Sequence, residues 1–178
     1  TSQIFTRGHY YKSDIAIFDD LFPHPLSLFR YIEFDSYLSS FNAVAFTTGE
    51  TLSSTNHDNS IKSVIDKYNQ RTKVCVFNQH NRIEAKLAVL IFLNNAAGFL
   101  PYLERNNLPF IFTLYPGGGF LLEDEGSDNK LSRVLNSPFF RKVIVTQNIT
   151  KDYLLSKSFC REDQLEFIYG VPTEITGI

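Results

Sequence analysis

The chain has 178 residues, a formal net charge of -2, and a high aromatic share of 17 Phe and 9 Tyr with no Trp and no Met. That length suits one domain with a substantial core, and near-balanced charge excludes the basic footprint of a nucleic-acid binder or an anionic-membrane binder. No apolar run approaches the roughly 20 residues that cross a bilayer and no signal peptide opens the chain, so the expectation is a soluble, cytoplasmic protein. A first residue of Thr1 is read as a processed terminus or the edge of a longer protein.

In chain order, residues 1–14 are polar and aromatic without a period and read as a lead-in segment. Ile15 to Phe18 is a first strand, closed by Asp19-Asp20, and a loop with Pro23, His24 and Pro25 follows. Tyr31, Phe34, Leu38 and Phe41 then recur at helical spacing, with Ser27 as N-cap. Ala43 to Thr47 is a second strand. Ile61, Val64, Ile65 and Tyr68 fit one face of a helix, and Lys73 to Phe77 is a third strand. Arg82, Glu84 and Lys86 read as a solvated face, before the very apolar strand Leu87 to Leu93, which Asn94-Asn95 end. A short helix interrupted by Pro101 follows.

The stretch Pro109 to Phe120, PFIFTLYPGGGF, is the centre of the pattern. Its uncharged apolar run reads as a strand buried on both faces of a parallel sheet. Pro116 ends the ladder, and the three glycines after it allow positive φ, for a tight turn or for close approach of a ligand to bare amides. Glu123-Asp124-Glu125 is read as a solvated acidic loop rather than a metal-binding triplet. Leu131, Val134 and Leu135 mark a helix, Val143 to Thr146 a strand, Tyr153, Leu154 and Phe159 a helix capped by Asn148, and Leu165 to Ile168 a last strand.

Strands alternating with amphipathic helices imply an α/β domain of Rossmann-like, doubly wound type, with a mostly parallel sheet flanked by helices. Ligands of such folds sit outside the carboxyl ends of the strands. The residues there are Asp19, Asp20, His24, Thr48, Gly49, Asn78, His80, Asn94, Asn95, Tyr115, Gly117, Gly118 and Gln147. Amides, hydroxyls and imidazoles of this kind suit a polyhydroxylated ligand such as a sugar. Cys75 and Cys160 are too few for a disulfide framework and read as free thiols of a reducing compartment. No metal-ligand spacing occurs, so no metal is expected. Asn78-Gln79-His80 closes the third strand where a phosphoacceptor receiver would need aspartate, and neither GxGxxG nor a Walker loop is present.

The segment Phe140 to Pro172, FRKVIVTQNITKDYLLSKSFCREDQLEFIYGVP, resembles the close of the N-terminal domain in GT-B glycosyltransferases, particularly the family-four retaining group. The central FIFTLYPGG is similar to the strand that ends in Thr-x-His-Gly in that group, with Tyr115 where the family has histidine. Phe22-Pro23-His24-Pro25 stands where the family has a glycine pair, and Gly170-Val171-Pro172 where it has Gly-Val-Asp.

The resemblance spans residues 15 to 172 and implies one half of a GT-B fold, with 173–178 starting a linker to a second domain. It implies an acceptor-binding half of a glycosyltransferase of polysaccharide biosynthesis, inactive alone. The full enzyme would move a sugar from a nucleotide-sugar donor, held by the other domain, to a glycan or lipid-linked acceptor. It would need no cofactor, and its membrane association would be peripheral. The substrate-binding residues then expected are His24, Arg30, His80, Asn94, Tyr115, Gly117 and Gly118, with Arg30 facing an acceptor phosphate and the glycine amides facing a sugar or phosphate oxygen. A non-catalytic α/β binding or assembly module and a sugar-nucleotide epimerase are the alternatives.

Overall fold

The computed structural model describes residues 8–24, 28–48 and 73–170. Among them, seven strands form one sheet in the order β3-β2-β1-β4-β5-β6-β7, and every neighbouring pair is parallel. The strands are β1 Tyr10–Phe18, β2 Ala43–Thr47, β3 Val74–Val76, β4 Arg82–Ile91, β5 Phe110–Leu114, β6 Phe140–Val145 and β7 Leu165–Phe167. Four α-helices accompany them: α1 Leu28–Ser40, α2 Leu93–Arg105, α3 Glu125–Leu135 and α4 Asn148–Ser156. This is the Rossmann-like, doubly wound α/β fold expected from the alternation of strands and helices.

The period of two along each strand divides the core into two layers. On one face Phe18, Phe46, Leu90 and Phe112 pack with Leu100 of α2, Leu131 of α3 and Leu154 of α4. On the other, Ile17, Ala45, Val89 and Ile91 pack with Phe34 and Leu38 of α1. Thus α1 covers one side of the sheet, and the three later helices cover the other. The order of the strands reverses between β1 and β4, so their carboxyl ends flank the crevice of the fold.

Several boundaries differ from the sequence reading, each for a local reason. β1 begins at Tyr10, so residues 10–14 belong to the sheet rather than to a lead-in; they pair with the start of β4, Tyr10 opposite Arg82. β4 itself begins at Arg82. Its exposed Arg82 and Glu84 are the solvated positions of a strand, and Glu84 holds both Lys12 and the Tyr10 hydroxyl across the pair. Leu93, Asn94 and Asn95 open α2 instead of closing a strand.

α2 runs unbroken through Pro101. Proline removes the bond to the carbonyl four residues back, and that carbonyl, on Ala97, instead accepts from Arg133 of α3 at 2.7 Å. The acidic triplet is also more than a solvated loop. Asp124 is the N-cap of α3 and accepts from the Ser127 amide at 2.7 Å, and Glu123 pairs with Lys157. At α4 the N-cap position is Gln147 rather than Asn148, with no side-chain cap bond. Phe41 lies just past α1 and is exposed. Ser27 and the helix expected around Ile61 to Tyr68 lie outside the described residues.

Candidate functional site

The crevice between β1 and β4 is filled by charge. Asp19, the residue after β1, is fully buried, and Arg30 from the first turns of α1 comes down on it. One terminal nitrogen of Arg30 donates to both Asp19 oxygens, at 2.9 and 3.0 Å, and to Asp20 at 2.8 Å. The amides of Leu21 and Phe22 and the Asn95 side chain of α2 complete the shell around Asp19. Burial pushes the Asp19 carboxyl up, while Arg30 and these amides pull the other way. An ion pair with this many donors is a clamp between β1, α1 and α2.

Phe92 roofs the clamp. Its ring lies 4.7 Å from the Arg30 guanidinium carbon, and its backbone takes φ 74° and ψ 148° as the chain turns from β4 into α2. Behind it stands the glycine turn, closed by paired bonds between Gly117 and Phe120. Gly118 lies so close to Phe92 that an added Cβ would overlap the ring, and Gly119 is packed in the same way against Asn94. Both also have positive φ, at 54° and 91°. Glycine is therefore required here by packing as well as by the turn.

Beside the clamp, on the α1 side of the sheet, a cleft of about 450 Å³ opens at the carboxyl ends of β5, β6 and β7. α1 supplies Glu33, Ser36 and Tyr37; the strand ends supply Thr113, Tyr115, Thr146 and Tyr169. Tyr37 donates to Glu33 Oε1 at 2.9 Å. Burial raises the Glu33 carboxyl above its ordinary range. Burial and the nearby Glu33 push Tyr115 up to about 12, and burial likewise raises Tyr37. At neutral pH both phenols therefore keep their protons and act as hydrogen-bond donors. Phe29 and Phe92 pack edge-on against Tyr115, at 4.9 and 5.9 Å between centroids, tying the cleft wall to the clamp.

A larger, more open hollow of about 840 Å³ lies around Pro138, Arg141, Ser158 and Arg161, near the amino end of β6. The smaller cleft is the better candidate because it sits where strand carboxyl ends converge and holds a partly desolvated carboxylate.

The structure brings only part of the expected site together. Tyr115 lines the cleft. Gly118 backs Phe92, and Asn94 joins the same corner through its amide on the Gly118 carbonyl and its side chain on Lys130. Gly117 is exposed in the turn, with open space around it. Arg30 is committed to Asp19, Asp20 and the Phe92 ring. His24 is half-buried and closes the turn after β1 by donating its amide to the Leu21 carbonyl. His80 lies elsewhere: its turn packs on Gly8 and His9 at the start of β1, the opposite end of that strand from Asp19. Glu33, Tyr37, Thr113, Thr146 and Phe92 were not singled out by the sequence. The one available signal was Glu33, an acid placed between Ile32 and Phe34 on a helix whose apolar face was already recognised.

Among the described residues no group of three or more His, Cys, Asp or Glu side chains could hold a metal ion, and no helix is long and apolar enough to cross a membrane. Cys75 and Cys160 are half-buried, and neither forms a disulfide among the described residues. Compared with protein-family models, curated proteins and solved structures, the chain matches none.

Proposed function

We propose that this chain binds a hydroxylated ligand of sugar size and serves as the acceptor-binding half of a glycosyltransferase of the GT-B type, acting on a glycan or lipid-linked acceptor. The observation that carries the reading is the cleft at the ends of β5, β6 and β7. It combines a carboxylate, Glu33, with the hydroxyls of Ser36, Thr113 and Thr146 and the rings of Tyr37, Tyr115 and Tyr169. Carboxylate and hydroxyl groups exchange hydrogen bonds with sugar hydroxyls, and aromatic rings cover the C–H faces of a pyranose. In a transferase such a cleft would align the acceptor hydroxyl, while a donor-binding domain would neutralise the departing nucleotide.

The test is saturation-transfer NMR of the chain against glucose, simple disaccharides and sugar nucleotides, repeated with Thr146→Phe to fill the cleft from its rim. Sugar signals that disappear in the filled variant support the reading. Sugar signals that survive it, or no sugar signal from the folded wild-type chain, refute it.

A second reading, a binding module without chemistry of its own, is favoured by the crevice between β1 and β4. Its central cation, Arg30, is turned inward onto Asp19 and Asp20. Sugar transfer by the intact protein, measured with a nucleotide-sugar donor, separates the two readings.

A further inference from the structure

Among the described residues Glu33 is the only acid lining the cleft, and its one hydrogen bond there is the phenol of Tyr37. No Lys or Arg among the described residues lines the same cleft; the neighbouring cation on α1, Arg30, is taken up by Asp19 and Asp20. A half-buried carboxylate walled by tyrosines is therefore left without a counter-charge among the described residues, an arrangement that costs free energy unless something supplies one. The two surrounding features point to the same supplier. Tyrosine faces attract an ammonium group through their quadrupole, and a carboxylate in a partly dry cleft pairs with it by a charge-assisted bond. A neutral hydroxyl would use the carboxylate as an acceptor but would leave its charge uncompensated.

We infer that the cleft recognises a protonated amine, seated on the Glu33 carboxylate between the rings of Tyr37 and Tyr115. Resting on the sugar reading above, this makes the ligand an amino sugar or an equally small aminated polyol, rather than a neutral hexose. The selectivity is set by charge: acetylation of the amine removes the positive group and adds bulk, so the N-acetylated sugar is excluded on both counts.

The experiment compares glucosamine, glucose, N-acetylglucosamine and ethanolamine by saturation-transfer NMR and titration, on the wild-type chain, on Glu33→Gln and on Tyr37→Phe. Glucosamine is expected to bind about tenfold or more tightly than glucose, a preference that Glu33→Gln abolishes and Tyr37→Phe, which keeps the carboxylate, retains. Measurable ethanolamine binding lost in Glu33→Gln would assign the recognition to the amine itself. Glucose and glucosamine binding equally, both indifferent to Glu33→Gln, would overturn the inference and leave the sugar cleft standing. Ethanolamine binding without any sugar would keep the amine site and remove the sugar reading. No binding of any probe to the folded chain would remove both.

Discussion

The ring of Phe92 lies 4.7 Å from the guanidinium carbon of Arg30 and reaches that place from a backbone with φ 74° and ψ 148°. That region of conformational space belongs almost entirely to glycine, and a side chain held there costs of order 1–3 kcal/mol. The contact over Arg30, with Gly118 behind it, is what the strained backbone gains. Phe92→Gly is accordingly expected to be more stable than Phe92→Ala by about 1 kcal/mol or more, since both lose the ring but only glycine relieves the backbone. Equal denaturant midpoints for the two variants would contradict the strain.

Arg30→Ala leaves Asp19 buried with no cation. Its side chain is 1% exposed and that of Arg30 10%, so solvent cannot take over. A loss of about 3–5 kcal/mol in urea unfolding is expected, the penalty of breaking a buried pair rather than of removing it whole. A loss below about 1 kcal/mol would mean that the clamp does not hold β1 and α1 together.

Thr47 ends β2 with its hydroxyl fully buried and without a hydrogen-bond partner among the described residues. Thr47→Val keeps the shape and removes the unmet hydroxyl, so the variant is expected to gain about 1 kcal/mol. A destabilised variant would reveal a partner for that oxygen.

Glycines predict opposite outcomes at two sites. Gly98 lies within α2 with open space where a Cβ would go, so Gly98→Ala should stabilise by about 0.5–1 kcal/mol. Gly118→Ala should cost more than 1 kcal/mol, on the order of other strained positive-φ substitutions, and should also disturb Arg30 through Phe92. Thermal melts of the two variants on either side of wild type would meet the expectation.

The carboxyl of Glu33 is raised by burial above its ordinary value. A folded-state pKa above the unfolded one means the native state holds the proton more tightly, so the stability present below the unfolded value is lost as pH rises through the folded one. Glu33→Gln removes that loss. Its melting temperature should match wild type below about pH 4 and exceed it at about pH 8. A difference independent of pH would show that the charge of Glu33 is not what the cleft pays for.

What the sequence made legible follows from where single residues dictate the backbone. β5 was recognised because Phe110 to Leu114 is an uncharged, mostly apolar run with prolines beside it, and β2 was read to the residue because Gly49 and the polar loop stop it cleanly. The start of β1 was missed because Tyr10 to Asp14 alternates aromatic, charged and hydroxyl side chains, a pattern set by its pairing with Arg82 to Ala85 and not by the core. Pro101 pointed to a break that does not occur, because Arg133, 36 residues from the carbonyl it rescues, cannot be seen locally. The cleft was hidden for the same reason. Tyr115 lay on the expected strand end, but Glu33 and Tyr37 meet it only once α1 is laid across the sheet.

The pairing at the centre of the sheet has a kinetic meaning. β1 and β4 are hydrogen-bonded neighbours along almost their whole length, Ile15 opposite Leu87 and Phe18 opposite Leu90, yet the turn beside His9 that aligns them is closed across 72 residues. The ends of that loop must meet before either strand gains the partner that buries it, which places the entropy of loop closure ahead of the reward. During synthesis β1 and α1 therefore emerge with one edge and the clamp incomplete, since Asn95 is still to come. The middle of the finished sheet is the part the nascent chain can assemble only once β4 has followed β1, α1, β2 and β3 out.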